Sequence, residues 1–140
     1  MRLAATALLA ALTLACAIAA PACAQERIEV FRLSDQPIVA SPGATVYVVD
    51  AMRQHTARLS AGLPRNPADA QQVARARLQA LTAQDKEVLH AASTALVRAA
   101  EYRLAKAPAI VFDGRAVLYG ITDIEQARAI YRSWKTSKGG

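Results

Sequence analysis

Pro108 is the residue that most restricts what this chain can fold into. A proline disfavours the helical conformation of the residue before it, so the long Ala-rich helical stretch upstream has to stop by Ala107. After it, Ala109 to Phe112 is apolar on both faces and reads as a covered strand. Asp113-Gly114 is a two-residue turn of the type I′ kind, and Arg115 to Tyr119 returns antiparallel before Gly120. Thr122 and Glu125 have the spacing of a capping box, and Ile124, Ala127, Ile130, Tyr131 and Trp134 then form the expected buried stripe of a last helix. The polar tail from Thr136 to Gly140 is expected to fray.

The region upstream supplies the other layers. Arg27 to Leu33 reads as a largely covered strand, with Ile28 and Val30 on one face and Glu29, Phe31 and Leu33 on the other. Ser34-Asp35-Gln36-Pro37 breaks it, Ser41-Pro42-Gly43 marks a second turn, and the β-branched and aromatic run Thr45 to Val49 is a second strand. Asp50 is in place to cap a short helix from Ala51 to Ala61 that turns Met52, Leu59 and His55 inward and stops at Gly62 and Pro64. Asn66, with Pro67 at the first helical position and Asp69 in the first turn, opens a second helix whose apolar face is Ala70, Ala74, Leu78 and Leu81. Thr82 and Asp85 resemble a capping box for the longest helix, which is expected to run to about Ala105. Its core stripe is Leu81, Val88, Ala92, Ala95, Ala99 and Tyr102, with Leu89 and Leu96 beside it.

The first 24 residues read as a leader rather than as part of this domain. Arg2 is followed by an uncharged apolar run from Leu3 to Ala20 and by the small-x-small site Ala22-Cys23-Ala24, the pattern of a cleaved export signal. A membrane anchor would keep basic flanks beyond the run, and a lipoprotein reading through Cys16 is weakened by Thr13 where leucine is preferred. Cleavage after Ala24 removes both cysteines, Cys16 and Cys23, and with them any thiol chemistry, because the thiolate is the nucleophile of disulfide exchange. What remains from Gln25 is long enough for one core, with no linker pointing to a second domain.

Net charge falls from +6 to +5 with the loss of Arg2. The arginines are scattered along Ala-rich helices without interleaved aromatics, which argues against a nucleic-acid surface. His55 and His90 have no metal-ligand partner at helical spacing, so no zinc site assembles locally and no metal or cofactor is expected. Asp85 and Glu87 point to different sides of a helix and read as a solvated face. The Ser34-Asp35 pair follows a strand end, where sites in α/β folds often lie; the plainer reading is a turn held by its own polar side chains.

Taken together, the first strand, the Ser34 to Pro37 turn, the Lys106-Ala107-Pro108 entry into the hairpin and the Tyr119 to Asp123 lead into the last helix resemble a thioredoxin-like domain. In such domains the turn after the first strand carries Cys-x-x-Cys and faces a cis proline before a later strand; Ser34-Asp35-Gln36-Pro37 stands at that place here. The resemblance implies a degenerate α/β thioredoxin-like fold: a small mixed sheet, a C-terminal hairpin and helix, and a helical insertion over about residues 51–105. More narrowly, the phrases EVFRLSDQPI, LSAGLPRNPADAQQVARARL and KAPAIVFDGRAVLYGITDIEQA are similar to a family of small exported proteins of integrating conjugative elements in Gram-negative bacteria.

That similarity implies a periplasmic accessory of a conjugative type IV secretion apparatus whose partners are other proteins of the apparatus, with no catalytic residues to carry over. The resulting expectation is a non-enzymatic adaptor binding an extended segment through Ser34, Asp35, Gln36, Pro37, Ala107 and Pro108, with no small-molecule substrate and no stable membrane span after cleavage. The competing readings are a hydrolase or isomerase working from Ser34 and Asp35 with a histidine, and a chaperone-like partner of a disulfide enzyme.

Overall fold

The computed structural model describes residues 26–39 and 41–138. The expected leader, with Cys16 and Cys23, lies outside the described residues. The elements follow in the order β1 (Ile28–Arg32), β2 (Ala44–Val48), α1 (Ala51–Ser60), α2 (Pro67–Gln79), α3 (Ala83–Glu101), β3 (Ala109–Phe112), β4 (Ala116–Tyr119) and α4 (Ile124–Lys138). The strands form one mixed sheet in the order β2-β1-β3-β4. β1 pairs parallel with β2, Ile28 opposite Ala44, and antiparallel with β3, Ile28 opposite Phe112; β3 and β4 form the hairpin. Its turn is of the expected kind, with φ of 52° at Asp113 and 68° at Gly114, the two positive values a type I′ turn requires.

A parallel pair needs a crossover, usually helical. Here the described residues 33–39 and 41–43 carry turns and a single bridge: Val39 pairs with Asp123, its N–H donating to Thr122 O at 3.0 Å. That bridge pins the crossover to the start of α4 and lets Ile38 pack into the core.

Alternation along β1 and β3 divides the core into two layers. Ile28, Val30, Ile110 and Phe112 face α4 and pack on Ile124, Ala127 and Tyr131; Phe112 and Tyr131 stack with centroids 4.7 Å apart. On the other face Phe31, Ala109 and Val111 meet Tyr47, Val49, Ala99 and Tyr102, with Phe31 stacked on Tyr47 at 5.0 Å. The central strands are sealed on both sides, and burying one aliphatic or aromatic side chain there stabilises by about 1.5 to 3 kcal/mol.

Several local expectations change. Asp50 precedes α1 but makes no side-chain cap; its carboxylate is turned to the Ser34 turn. α2 is capped by Asn66 as expected, yet it packs mainly on α1, buries no residue and leaves Leu78 56% exposed. α3 stops at Glu101, short of Ala105. The stop is a Schellman motif in which Leu104 N–H donates to Ala99 O, Arg103 N–H donates to Ala100 O and Arg103 takes φ of 51°, so the helix ends before Pro108 has any say.

Only Ala92 and Ala95 of α3 are buried; Val88 of the expected stripe and Leu96 beside it are exposed. α4 is capped by Asp123, whose Oδ1 accepts from the N–H groups of Glu125 and Gln126, while the Glu125 carboxylate is bonded to Ser41 and Arg128. Of its stripe, Ile130 and Trp134 are exposed, and the helix continues through Thr136 to Lys138, where fraying was expected.

Candidate functional site

The Ser34 to Pro37 turn is tied down from three directions. Arg32 Nη1 donates to the carbonyls of Leu33, Ser34 and Gln36 at 3.1, 3.2 and 2.9 Å. Gln36 Oε1 accepts from Leu33 N–H at 2.9 Å. Asp50, 7% exposed, accepts from Ser34 N–H at 2.9 Å and from Ser34 Oγ at 3.0 Å, and Gln54 donates to both side chains. Burial alone would raise the Asp50 carboxyl, but the bonds from Ser34 and Gln54 outweigh it and hold the group below its ordinary range.

The two halves of the predicted surface meet. Gln36 Nε2 donates to Ala107 O at 3.4 Å, and Ala107–Pro108, a cis peptide, leads into β3 with Pro108 O accepting from Gly120 N–H. Ser34, Asp35 and Pro37 are exposed; Gln36, Ala107 and Pro108 are partly covered. Beside this seam lies an apolar cleft of about 320 Å3 that includes Leu33, Leu96, Leu104, Lys106 and Ala107. Phe31 and Ala99 contribute to its lining from the core, so the floor is fixed by packing.

Neither histidine joins this place. Ser34 Oγ is engaged by Asp50 and Gln54. His55 is buried on α1, its Nδ1 accepting from Arg58 Nη2 at 2.7 Å, and its Nε2 has no partner among the described residues. His90 is exposed on α3, and Asp85 is committed to its capping box with Thr82. Among the described residues no three of His, Cys, Asp and Glu come together as a set able to hold a metal ion.

A second polar cluster was not foreseen. Glu29, the second residue of β1 and 3% exposed, faces α3. Its Oε1 accepts from Arg98 Nε at 3.1 Å, Arg98 Nη2 at 2.5 Å and Tyr47 OH at 3.4 Å; its Oε2 accepts from Tyr102 OH, and Arg27 Nε is 3.5 Å away. Burial pushes the Glu29 carboxyl up, but the Tyr102 and Arg98 hydrogen bonds and the charges of Arg98 and Arg27 outweigh it and hold the group below the usual carboxylate range. The Tyr102 phenol is pushed up by its burial and its bond to Glu29. Satisfied on all sides, the cluster joins sheet to helix behind the cleft. The available signal was an acid at a strand position flanked by apolar residues, with Arg98 and Tyr102 four residues apart on a helix.

These features define an α/β domain built on a four-stranded mixed sheet, with a preformed apolar cleft at the end of β1. The chain belongs to the family described as "Protein of unknown function (DUF1525)", whose model spans residues 25–137. Comparison with curated proteins and with solved structures gives no match.

Proposed function

We propose that this protein is a non-catalytic exported accessory of a conjugative type IV secretion apparatus, and that the cleft beside Gln36 and Ala107 holds an extended apolar segment of another protein of that apparatus. The observation that carries the binding part is the cleft itself. Apolar, of about 320 Å3 and bordered by the cation Lys106, it adjoins a turn whose Ser34 and Gln36 side chains are already paired and whose exposed Asp35 has no histidine bonded to it, which suits docking better than proton transfer. The conjugative part rests on the resemblance of the three phrases across residues 29–127.

A thioredoxin-like frame is the finer reading of the fold. In its favour are the turn after β1 lying against the proline entry of β3 and the hairpin followed by a helix. The crossover from β1 to β2 without a helix departs from the usual form of a parallel connection. Placement in the periplasm follows from the leader reading of residues 1–24.

A clean deletion in a donor strain is expected to lower transfer frequency, with recovery when the gene is supplied in trans. Transfer at the parental level in the deletion strain would reject the reading.

A further inference from the structure

The two edges of the sheet are not alike. β4 is preceded by Arg115 and has Lys106 over its Tyr119 ring, Nζ 5.5 Å from the centroid; charges of this kind keep a sheet edge from pairing with another chain. β2, the opposite edge, is Ala-Thr-Val-Tyr-Val, with no charge, no proline and an unbroken register against β1. Val49 N–H donates to Arg32 O, and strand residues turn their backbone groups to alternate sides, so Thr45 and Tyr47 also point to β1 while Val46 and Val48 point outward. β2 has no second neighbour in the sheet, which leaves the N–H and C=O of both valines without a strand partner. Beside that edge runs a groove of about 370 Å3 bordered by Val46, Tyr47, Val48 and, from α3, Val88, Ala91 and Thr94. Its two hydroxyls are occupied: Tyr47 OH donates to Glu29 Oε1 at 3.4 Å and Thr94 Oγ1 to His90 O at 3.1 Å. An incoming strand is therefore offered backbone bonds and apolar contact, and no charged or free polar side chain that would select a foreign sequence.

We infer that β2 pairs antiparallel with β2 of a second copy of this chain, across a two-fold axis at Val46, joining the two sheets into one. The strand is complementary to itself. In that register Val46 faces its twin, Ala44 faces Val48 and Thr45 faces Tyr47. The hydrogen-bonded pairs then fall on the outward residues, and on the α3 side a β-branched residue meets an aromatic one. Neither the strand nor the groove carries a charge, so two copies of a cationic chain meet there without repulsion across the contact. Symmetry separates this pairing from the alternative. β2 set on β4 of the next copy would leave a free edge at each end and grow without limit, whereas β2 on β2 closes at the dimer and covers the uncharged edge in both copies.

The test uses the chain from Gln25, which contains every described element, in sedimentation equilibrium from micromolar to millimolar concentration. A monomer–dimer equilibrium is expected. Val46→Lys sets two ammonium groups against each other at the axis and should weaken it roughly tenfold or more, whereas Val117→Lys, in β4, should leave it unchanged. The two valines are 43% and 36% exposed, so both variants should keep the parental circular dichroism. A second measurement reads the register. The chain from Gln25 has no cysteine of its own, and a hydrogen-bonded antiparallel pair sets its Cα atoms about 5.5 Å apart, within disulfide range. Mild oxidation should therefore link Val46→Cys into a covalent dimer at least about tenfold faster than Val117→Cys. A parent that stays monomeric throughout, assembly that grows past the dimer, equal weakening by the two lysine changes, or equal cross-linking at the two positions would overturn the proposal.

Discussion

Replacing Glu29 by glutamine keeps the size of the side chain and removes its charge, and the structure sets the cost. Oε1 and Oε2 together accept from Arg98, Tyr102 and Tyr47. An amide places two N–H donors where one of these donors already points. Tyr102 OH cannot simply turn round to accept, since it already receives Arg98 Nη2 at 3.0 Å and Arg27 Nη2 at 3.3 Å. Breaking a fully buried pair from one side costs about 3 to 5 kcal/mol. Arg98, however, keeps 28% of its side-chain surface in water and a second partner in Glu101, so the expected cost is about 2 to 3 kcal/mol.

That is a large part of the 5 to 15 kcal/mol typical of a domain, and at this chain length it lowers Tm by about 10 °C. The pH dependence has a definite sign. Because the folded carboxyl lies below its unfolded value of about 4.3, its stabilisation is present in full above that value and is lost as pH falls through the folded pKa. Urea melts of parent and Glu29→Gln should therefore differ most near neutrality and converge in acid, the shared acid response of Asp50 and Asp113 cancelling in the comparison. A cost under about 0.5 kcal/mol at neutral pH, or a difference that grows in acid, would refute the reasoning.

Two further substitutions test the local account. Asp123→Ala should destabilise by about 1 kcal/mol in thermal melts by removing the α4 cap, whereas Thr122→Ala should change little; the reverse ranking would restore the capping box expected from sequence. Asp50→Ala leaves Ser34 N–H and Ser34 Oγ without their acceptor and should cost about 1 to 3 kcal/mol, with faster amide exchange at Ser34; unchanged exchange would mean that the carboxylate does not hold the turn.

What could be read from the sequence was what local chemistry decides. Asp113-Gly114, Asn66-Pro67 and the Thr82–Asp85 box each act through neighbours a few residues away, and each is in place. Periodicity misled where it had to name a partner. The stripe of Ala70, Ala74 and Leu78 is amphipathic in pattern, but α2 packs mainly on α1, and Leu78 stays exposed. Ile130 and Trp134 continue the spacing of Ile124 and Ala127, yet they lie beyond the edge that β4 covers.

Glu29 was invisible for the complementary reason. Its partners are 69 and 73 residues away, and nothing local marks a strand acid as buried. Of the candidate site, the meeting of the Ser34 to Pro37 turn with Ala107 follows the resemblance. The cleft depends on Leu96 and Leu104, which were read as part of a helix that in fact ends before Leu104.

The most direct test of the proposed role is transfer frequency in donors carrying Leu96→Asp or Leu78→Asp, with protein levels matched. Both leucines are exposed, at 44% and 56%, so both variants should fold, but only Leu96 lines the cleft. Occupation of the cleft by a partner segment predicts a fall of roughly tenfold or more for Leu96→Asp, as for loss of a principal interface contact, and parental transfer for Leu78→Asp. Parental transfer with Leu96→Asp would contradict it.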